Sequence, residues 1–228
     1  MMNLAQHLRH AIVGLLLAAT LPALAQSSAN EPAAAVPPQA PAAPATPKIT
    51  DAALLAALRK GGLVVYFRHT ATDFSRDDRQ MRDFDDCRNQ RLLSPQGRAD
   101  ARAIGEQWKR LKIPVGPVLA SPYCRTREVA QLMFGRYERS NDVRGGPVDA
   151  GEDRYAGLKR LLSTLRTSPD TLVISSHANP WRALSNTPYL VEGEAVILRP
   201  QGAGRWEVLA QFKVEDWARL KVHYRHNK

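Results

Sequence analysis

Three short apolar runs, each ending in a polar cluster, set the strongest limit on how this chain folds. Leu63-Val64-Val65-Tyr66-Phe67 runs into Arg68-His69-Thr70. Pro117-Val118-Leu119-Ala120 runs into Ser121-Pro122-Tyr123-Cys124-Arg125, and Thr171-Leu172-Val173-Ile174-Ser175-Ser176 into His177-Ala178-Asn179. Continuous runs of this length and β-branched content suit strands buried on both faces, as in a parallel sheet. Helical signals fill the intervals. Thr50 is placed to cap a short helix carrying Leu54, Leu55 and Leu58, stopped by Gly61-Gly62. Ser94-Pro95 offers an N-cap and a proline at the first helical position, and Ala99, Ala103, Ile104, Trp108 and Leu111 recur behind it at helical spacing. Residues 123–134 read as a helix ending at Gly135, and 154–166 as another with Leu158, Leu161, Leu162 and Leu165 on one face. Residues 195–198 and 206–209 predict a late hairpin around Gly202 and Gly204, whereas 135–153 predict a long polar loop lying over something functional. Strands alternating with helices predict a three-layer α/β domain, its central sheet mostly parallel with helices on both faces.

The residues before this pattern are of another kind. Arg9 and two histidines stand ahead of the apolar run of residues 11–19, followed by Pro22 and by Ala23-Leu24-Ala25. A basic start, a short apolar run and a small-x-small site predict a cleaved signal peptide over residues 1–25, and hence a periplasmic or secreted protein. The run falls short of the roughly 20 residues that cross hydrocarbon, so no stable membrane insertion is expected after cleavage. Residues 26–48 are rich in Ala and Pro and lack large apolar side chains, which predicts an extended linker. One folded domain is expected over residues 49–228.

Charge narrows the partners. The chain carries a formal net charge of +10. Such an excess suits nucleic acid, an anionic surface or an anionic small substrate. Export argues against nucleic acid, and no recognition helix is evident, which leaves an anionic surface or an anionic small substrate. Arg219, Lys221, His223, Arg225, His226 and Lys228 read as a solvated basic tail. The two cysteines, Cys87 and Cys124, are an even pair in an oxidising compartment and are expected to form a disulfide. A cysteine phosphatase would need an arginine six positions past its nucleophile, where this chain has Leu93 and Ala130. No metal-ligand spacing, nucleotide-binding glycine loop or serine elbow is present, so neither a metal nor a cofactor is expected.

Ligands of open α/β sheets bind beyond the carboxyl ends of the strands, where these three runs deliver Arg68, His69, Arg125 and His177. Basic groups aimed at one point repel one another unless an anion joins them. Guanidinium groups grip phosphoryl oxygens in pairs of hydrogen bonds, and a neutral imidazole is a competent nucleophile. His177 would stabilise transferred charge if protonated, and Thr70 and Asn179 serve either as hydrogen-bond donors to substrate or as turn residues.

Phe67-Arg68-His69-Thr70, Leu93-Ser94-Pro95-Gln96-Gly97-Arg98, Ala120-Ser121-Pro122-Tyr123-Cys124-Arg125-Thr126 and Ser176-His177, in this order, resemble the histidine phosphatase superfamily, also called phosphoglycerate-mutase-like. The resemblance spans residues 49–217. It implies metal-free phosphoryl transfer in which His69 takes the phosphoryl group and water then removes it, with Arg68, Arg125 and His177 around it. A bridge from Cys87 to Cys124 would tie the insert after His69 to the phosphate-binding helix. Two positions depart from the family pattern: Thr70 stands where glycine is usual, and Ala178 where the acid-phosphatase branch has its proton-donating aspartate.

An ester leaving group needs a proton, so a carboxylic acid is expected nearby. By analogy with the mutase branch the acid is Glu152. The rival is Glu194: residues 178–194 leave little room for a full crossover helix, Pro188 stands in the way, and an antiparallel next strand would carry Glu194 at its mouth. Asp149, Asp153 and Glu128 stand behind these two. Without an acid, substrates with good leaving groups are favoured, such as phosphohistidine or pyrophosphate linkages. The leading expectation is a phosphoric monoester hydrolase, with a mutase ranked below it. The alternative from another class is a weakly active or inactive phosphate- or glycan-binding module of the same fold.

Overall fold

Side-chain alternation along the first strand already sorts the molecule into layers. A computed structural model describes residues 49–145, 153–166 and 169–221, all within one unit, Thr46–Lys228. The expected signal peptide and linker, Glu152 and Asp149 lie outside the described residues. Five helices, α1 (Asp51–Lys60), α2 (Pro95–Leu111), α3 (Cys124–Phe134), α4 (Ala156–Ser163) and α5 (Ala178–Ser185), accompany six strands, β1 (Val64–Arg68), β2 (Val115–Ala120), β3 (Glu138–Arg139), β4 (Thr171–Ser176), β5 (Ala195–Gly202) and β6 (Arg205–Phe212). They form one sheet in the order β3-β2-β4-β1-β5-β6. β1, β2, β3 and β4 pair in parallel, and β5 pairs antiparallel with β1 and with β6. The three-layer, mostly parallel α/β architecture is the one expected.

Val65 and Phe67 point to one face, where they join Val118, Val173 and Ile197 beneath α1, α2 and α3. Val64 and Tyr66 point to the other, with Leu172, Ile174 and Val196 beneath Leu158 and Leu162 of α4 and Trp181 of α5. The first core is anchored by aromatics. Trp217 packs on Phe67 and on Trp108, each at 5.7 Å between ring centroids. Truncating a ring buried like this costs about 3–5 kcal/mol.

Local chemistry explains the element ends that fix the site. Ser94 accepts a hydrogen bond from Gly97 N at 3.0 Å and Pro95 opens α2, as the sequence predicts. A Cβ at Gly97 would lie 2.0 Å from the Ala71 carbonyl oxygen, so only glycine lets α2 press on the loop after β1. α3 stops at Gly135 with φ at 71°. Three expectations change. α4 ends at Ser163, because Thr164 turns to an extended conformation, which leaves Leu165 outside the helix and 65% exposed. The segment after Gly135 is not wholly irregular: it adds β3 to the sheet edge and a 3-10 turn at Asn141–Val143. Between β4 and β5 an eight-residue helix fits after all, ending in left-handed Asn186 before Pro188. Among the described residues no helix is long and apolar enough to cross a membrane.

Candidate active site

The expected strand ends meet. Arg68, His69, Arg125, His177 and Asn179 line one cavity of about 400 Å³, together with Arg91, Ala178 and Tyr189. β1 delivers Arg68 and His69, α3 holds Arg125 in its first turn, and His177 occupies the N-cap of α5 at the end of β4. The main chain around His69 is fixed on both sides. His69 N donates to Ser176 O at 3.0 Å, Gly193 N donates to His69 O at 2.9 Å, and Arg68 N donates to Glu194 O at 2.9 Å. Gly193 reaches this position with φ at 81°, a conformation that favours glycine.

His69 is 2% exposed, and its Nδ1 lies 3.1 Å from its neighbour's carbonyl oxygen, Thr70 O. With the proton on Nδ1, facing that carbonyl, the lone pair sits on Nε2. Burial first, then the charges of Arg125, Arg68 and Arg91, push the His69 pKa down to about 3, so the ring is neutral at physiological pH. His177 stands edge-on to it at 5.5 Å between centroids, with Nε2 2.8 Å from Ser121 Oγ. Burial, helped by His69 and the arginines, also holds His177 well below its ordinary value. Burial thus works against the protonated His177 considered from sequence.

The arginines are placed as donors. Arg68 Nη1 donates to Leu190 O at 2.6 Å, and Arg125 Nη1 to Asp78 Oδ1 at 3.0 Å. Arg125 also lies 4.5 Å over the Tyr123 ring, and Arg91 4.7 Å over Phe74. The Nε atoms of Arg68, Arg91 and Arg125 are buried and hydrogen-bond to nothing in the protein. Among the described residues no group of His, Cys, Asp or Glu is disposed to hold a metal ion.

Two expected site residues sit elsewhere. Thr70 is fully buried and its hydroxyl donates to Gly97 O at 2.8 Å, so it braces the loop against α2 instead of facing substrate. Glu194 does precede an antiparallel β5, but its oxygens accept from Val191 N and from Gln211 Nε2, both at 2.7 Å, and it does not line the cavity. Glu128 is committed to Arg98 at 2.6 Å, and Asp153 accepts from Tyr155 N at 3.0 Å.

Three residues escaped the sequence reading. Arg91 precedes Leu92 and the Ser94 cap, and its exit from the insert into the cavity leaves no periodic trace. Asp78 accepts from both Arg125 Nη1 and Arg91 N, the latter at 2.9 Å. Glu192 Oε1 accepts from Thr72 Oγ1 at 2.6 Å and Oε2 from Thr72 N at 3.1 Å. Its Oε1 lies 3.6 Å from Arg68 Nη2 and 3.8 Å from His69 Nδ1. Its spacing two residues before Glu194 was the available signal. Beside the cavity a disulfide joins Cys87 to Cys124, spanning 37 residues, with their Cα atoms 5.7 Å apart. It fastens the insert to the first residue of α3, next to Arg125.

No protein-family model and no curated protein matches the chain. Solved structures are similar at low identity. The protein histidine phosphatase SixA complexed with tungstate is 19% identical, over 68% of this chain and 98% of that one, with a TM-score of 0.47. A putative phosphohistidine phosphatase SixA from Nakamurella multipartitia is 20% identical, over 66% and 94%, with a TM-score of 0.45. A mutant phosphoserine phosphatase from Entamoeba histolytica in complex with phosphoserine is 12% identical, over 67% and 98%, with a TM-score of 0.44.

Proposed function

We propose that the chain is a metal-independent phosphatase that hydrolyses phosphate esters through a phosphohistidine on His69. The state of His69 carries this reading: a buried neutral ring, its Nδ1 facing the Thr70 carbonyl, opening on a cavity walled by three arginines. In the first half-reaction the Nε2 lone pair forms an N–P bond, and the P–O bond to the leaving group breaks with its electron pair going to oxygen. In the second, water forms a new P–O bond, the N–P pair returns to the ring, and phosphate leaves with the water's proton. Arg68, Arg91 and Arg125 position the transferred group and neutralise its charge, which supplies most of the catalysis in such reactions. His177, held down chiefly by burial and then by His69 and the arginines, stands beside the transferred group with its Nε2 2.8 Å from Ser121 Oγ.

Leaving-group protonation divides the substrates. The described lining of the cavity contains no carboxyl group. Glu152, in the segment 146–152, remains the candidate acid. With it, ordinary monoesters are substrates; without it, bonds with good leaving groups are, such as phosphohistidine and pyrophosphate. We place the enzyme outside the cytoplasm, exported by residues 1–25 and preceded by the linker 26–48, where it acts on anionic phosphorylated substrates and not on nucleic acid. The Cys87–Cys124 disulfide is consistent with an oxidising compartment.

Incubation of the mature chain with a radiolabelled phosphomonoester in the presence of a chelator tests the proposal. Steady phosphate release and acid-labile label on His69 are expected, both lost in His69→Ala. Phosphate binding without any turnover of monoester, phosphohistidine or pyrophosphate would instead identify a phosphate-binding module, the reading that the carboxyl-free lining favours.

A further inference from the structure

We infer that Glu192 is the counter-charge of the phosphorylated ring: fixed on the Nδ1 side of His69, its carboxylate stabilises the imidazolium that exists only while Nε2 carries the phosphoryl group. The inference rests on the phosphohistidine reading above and adds to it a residue that no sequence motif marks.

Geometry fixes the carboxylate where that charge appears. Both oxygens of Glu192 are held by Thr72, one by the hydroxyl at 2.6 Å and one by the main-chain N–H at 3.1 Å. The oxygen bound to the hydroxyl faces Nδ1 of His69 at 3.8 Å and Nη2 of Arg68 at 3.6 Å. Side-chain exposure is 3% for His69 and 17% for Glu192, so water screens the contact weakly. Glu192 does not line the cavity and stands on the nitrogen that does not react, so it has no route to a leaving group. Thr72 and the adjacent guanidinium hold the carboxylate in this place.

The value of this carboxylate changes during the reaction. Before attack the ring is neutral and the contact with Glu192 joins a charge to a dipole. When the Nε2 pair forms the N–P bond and the leaving oxygen departs with the P–O pair, the ring becomes a cation with its proton still on Nδ1. The same contact is then an ion pair. An interaction that grows between ground state and intermediate accelerates the step that forms the intermediate. It also keeps Nδ1 protonated, and a protonated ring departs from phosphorus more readily than a neutral one when water attacks.

The groups that set the pKa of that ring come from every element around it. Arg68 from β1, Arg91 from the insert, Arg125 from α3 and His177 at the start of α5 oppose the cation, while the Thr70 carbonyl supports it. Farther out, Asp78 is bound to Arg125, Tyr123 lies under Arg125, and Glu194 is taken up by Val191 N and Gln211. Among the described residues, Glu192 is the carboxylate in contact with the ring.

The test is the pH profile of turnover, with the phosphoenzyme level and the inhibition constant of inorganic phosphate measured alongside. In Glu192→Gln the phospho-ring should lose its Nδ1 proton about one pH unit lower than in the wild type. Turnover should then fall about tenfold further at alkaline pH than in mild acid, with labelled phosphoenzyme accumulating as pH rises. Inorganic phosphate should bind within about threefold of wild type, since no cation forms on that ring in the complex. Thr72→Val keeps the charge and loosens its hold, so it should shift the alkaline limb the same way by less. A uniform loss at every pH, with phosphate binding weakened in parallel, would make Glu192 a structural anchor and overturn the inference, as would an unshifted profile. A wild type that turns over yet never labels His69 fails the underlying reading itself.

Discussion

Asp78 Oδ1 accepts a hydrogen bond from Arg125 Nη1 at 3.0 Å, so a residue of the insert after β1 holds an arginine of α3 in the cavity wall. The same oxygen accepts from Arg91 N at 2.9 Å, which ties the position of a second cavity arginine to the first. Hydrogen bonds to a charged group contribute about 1.5–3 kcal/mol. Asp78→Ala should therefore raise KM and the phosphate inhibition constant about tenfold or more while kcat changes less. Steady-state kinetics with competing inorganic phosphate would reject the idea if KM stayed at the wild-type value.

Reduction of Cys87–Cys124 should act in the same direction. The bridge closes a 37-residue separation, for which loop entropy predicts about 3–4 kcal/mol of stabilisation. A hydrogen bond runs beside it, from Cys124 N to the buried Gln90 Oε1 at 2.9 Å. Melting with and without reductant should show the loss, and phosphate affinity should fall with it. Equal affinity in both forms would mean that the hydrogen bonds alone hold the insert in place.

Stability should decline in mild acid. His69 and His177 are both held below their ordinary 6.5, His69 at about 3, chiefly by burial. Above pH 6.5 neither the folded nor the unfolded chain protonates them. As pH falls below 6.5 the unfolded chain takes up protons that the native state refuses, so stability is lost across the window down to about pH 3. Each histidine contributes a slope of up to about 1.4 kcal/mol per pH unit. Denaturant unfolding between pH 7.5 and 5.5 should steepen accordingly, and the double variant His69→Asn/His177→Asn should show a flatter dependence. Identical slopes in the two proteins would assign the acid sensitivity to other groups.

Gly97→Ala should damage the site from behind. The added Cβ would meet the Ala71 carbonyl oxygen at 2.0 Å, a main-chain contact that cannot rotate away. Either α2 backs off or the loop after His69 shifts, at a cost of about 1–3 kcal/mol. A chain with normal stability and normal turnover would show that the loop yields freely.

Features written in neighbouring residues were readable in the sequence. The Ser94 cap with Pro95, the Gly135 stop and the all-buried β4 depend on local periodicity and caps. The orientation of β5 followed from the shortness of its connection, and the convergence of Arg68, His69, Arg125 and His177 from the polarity of the strands. What depends on contacts through space was not readable. Thr70 reads as free to meet substrate until α2 brings Gly97 O against its hydroxyl. Glu194 reaches the expected strand mouth, but its carboxylate turns to Gln211 of β6, and no pattern in the chain encodes that partner. Asp78 and Glu192 act from irregular segments, where spacing carries no signal about direction.

The peptide groups of His69, the proposed nucleophile, are spoken for by β4 on one side and by the turn before β5 on the other. A residue stitched into a sheet in this way has no retracted conformation to visit short of local unfolding. The template for phosphorus is thus completed during folding, and a phosphate analogue meets it without an ordering cost at His69. Under the proposed function, control would fall on access to the cavity and not on the readiness of His69.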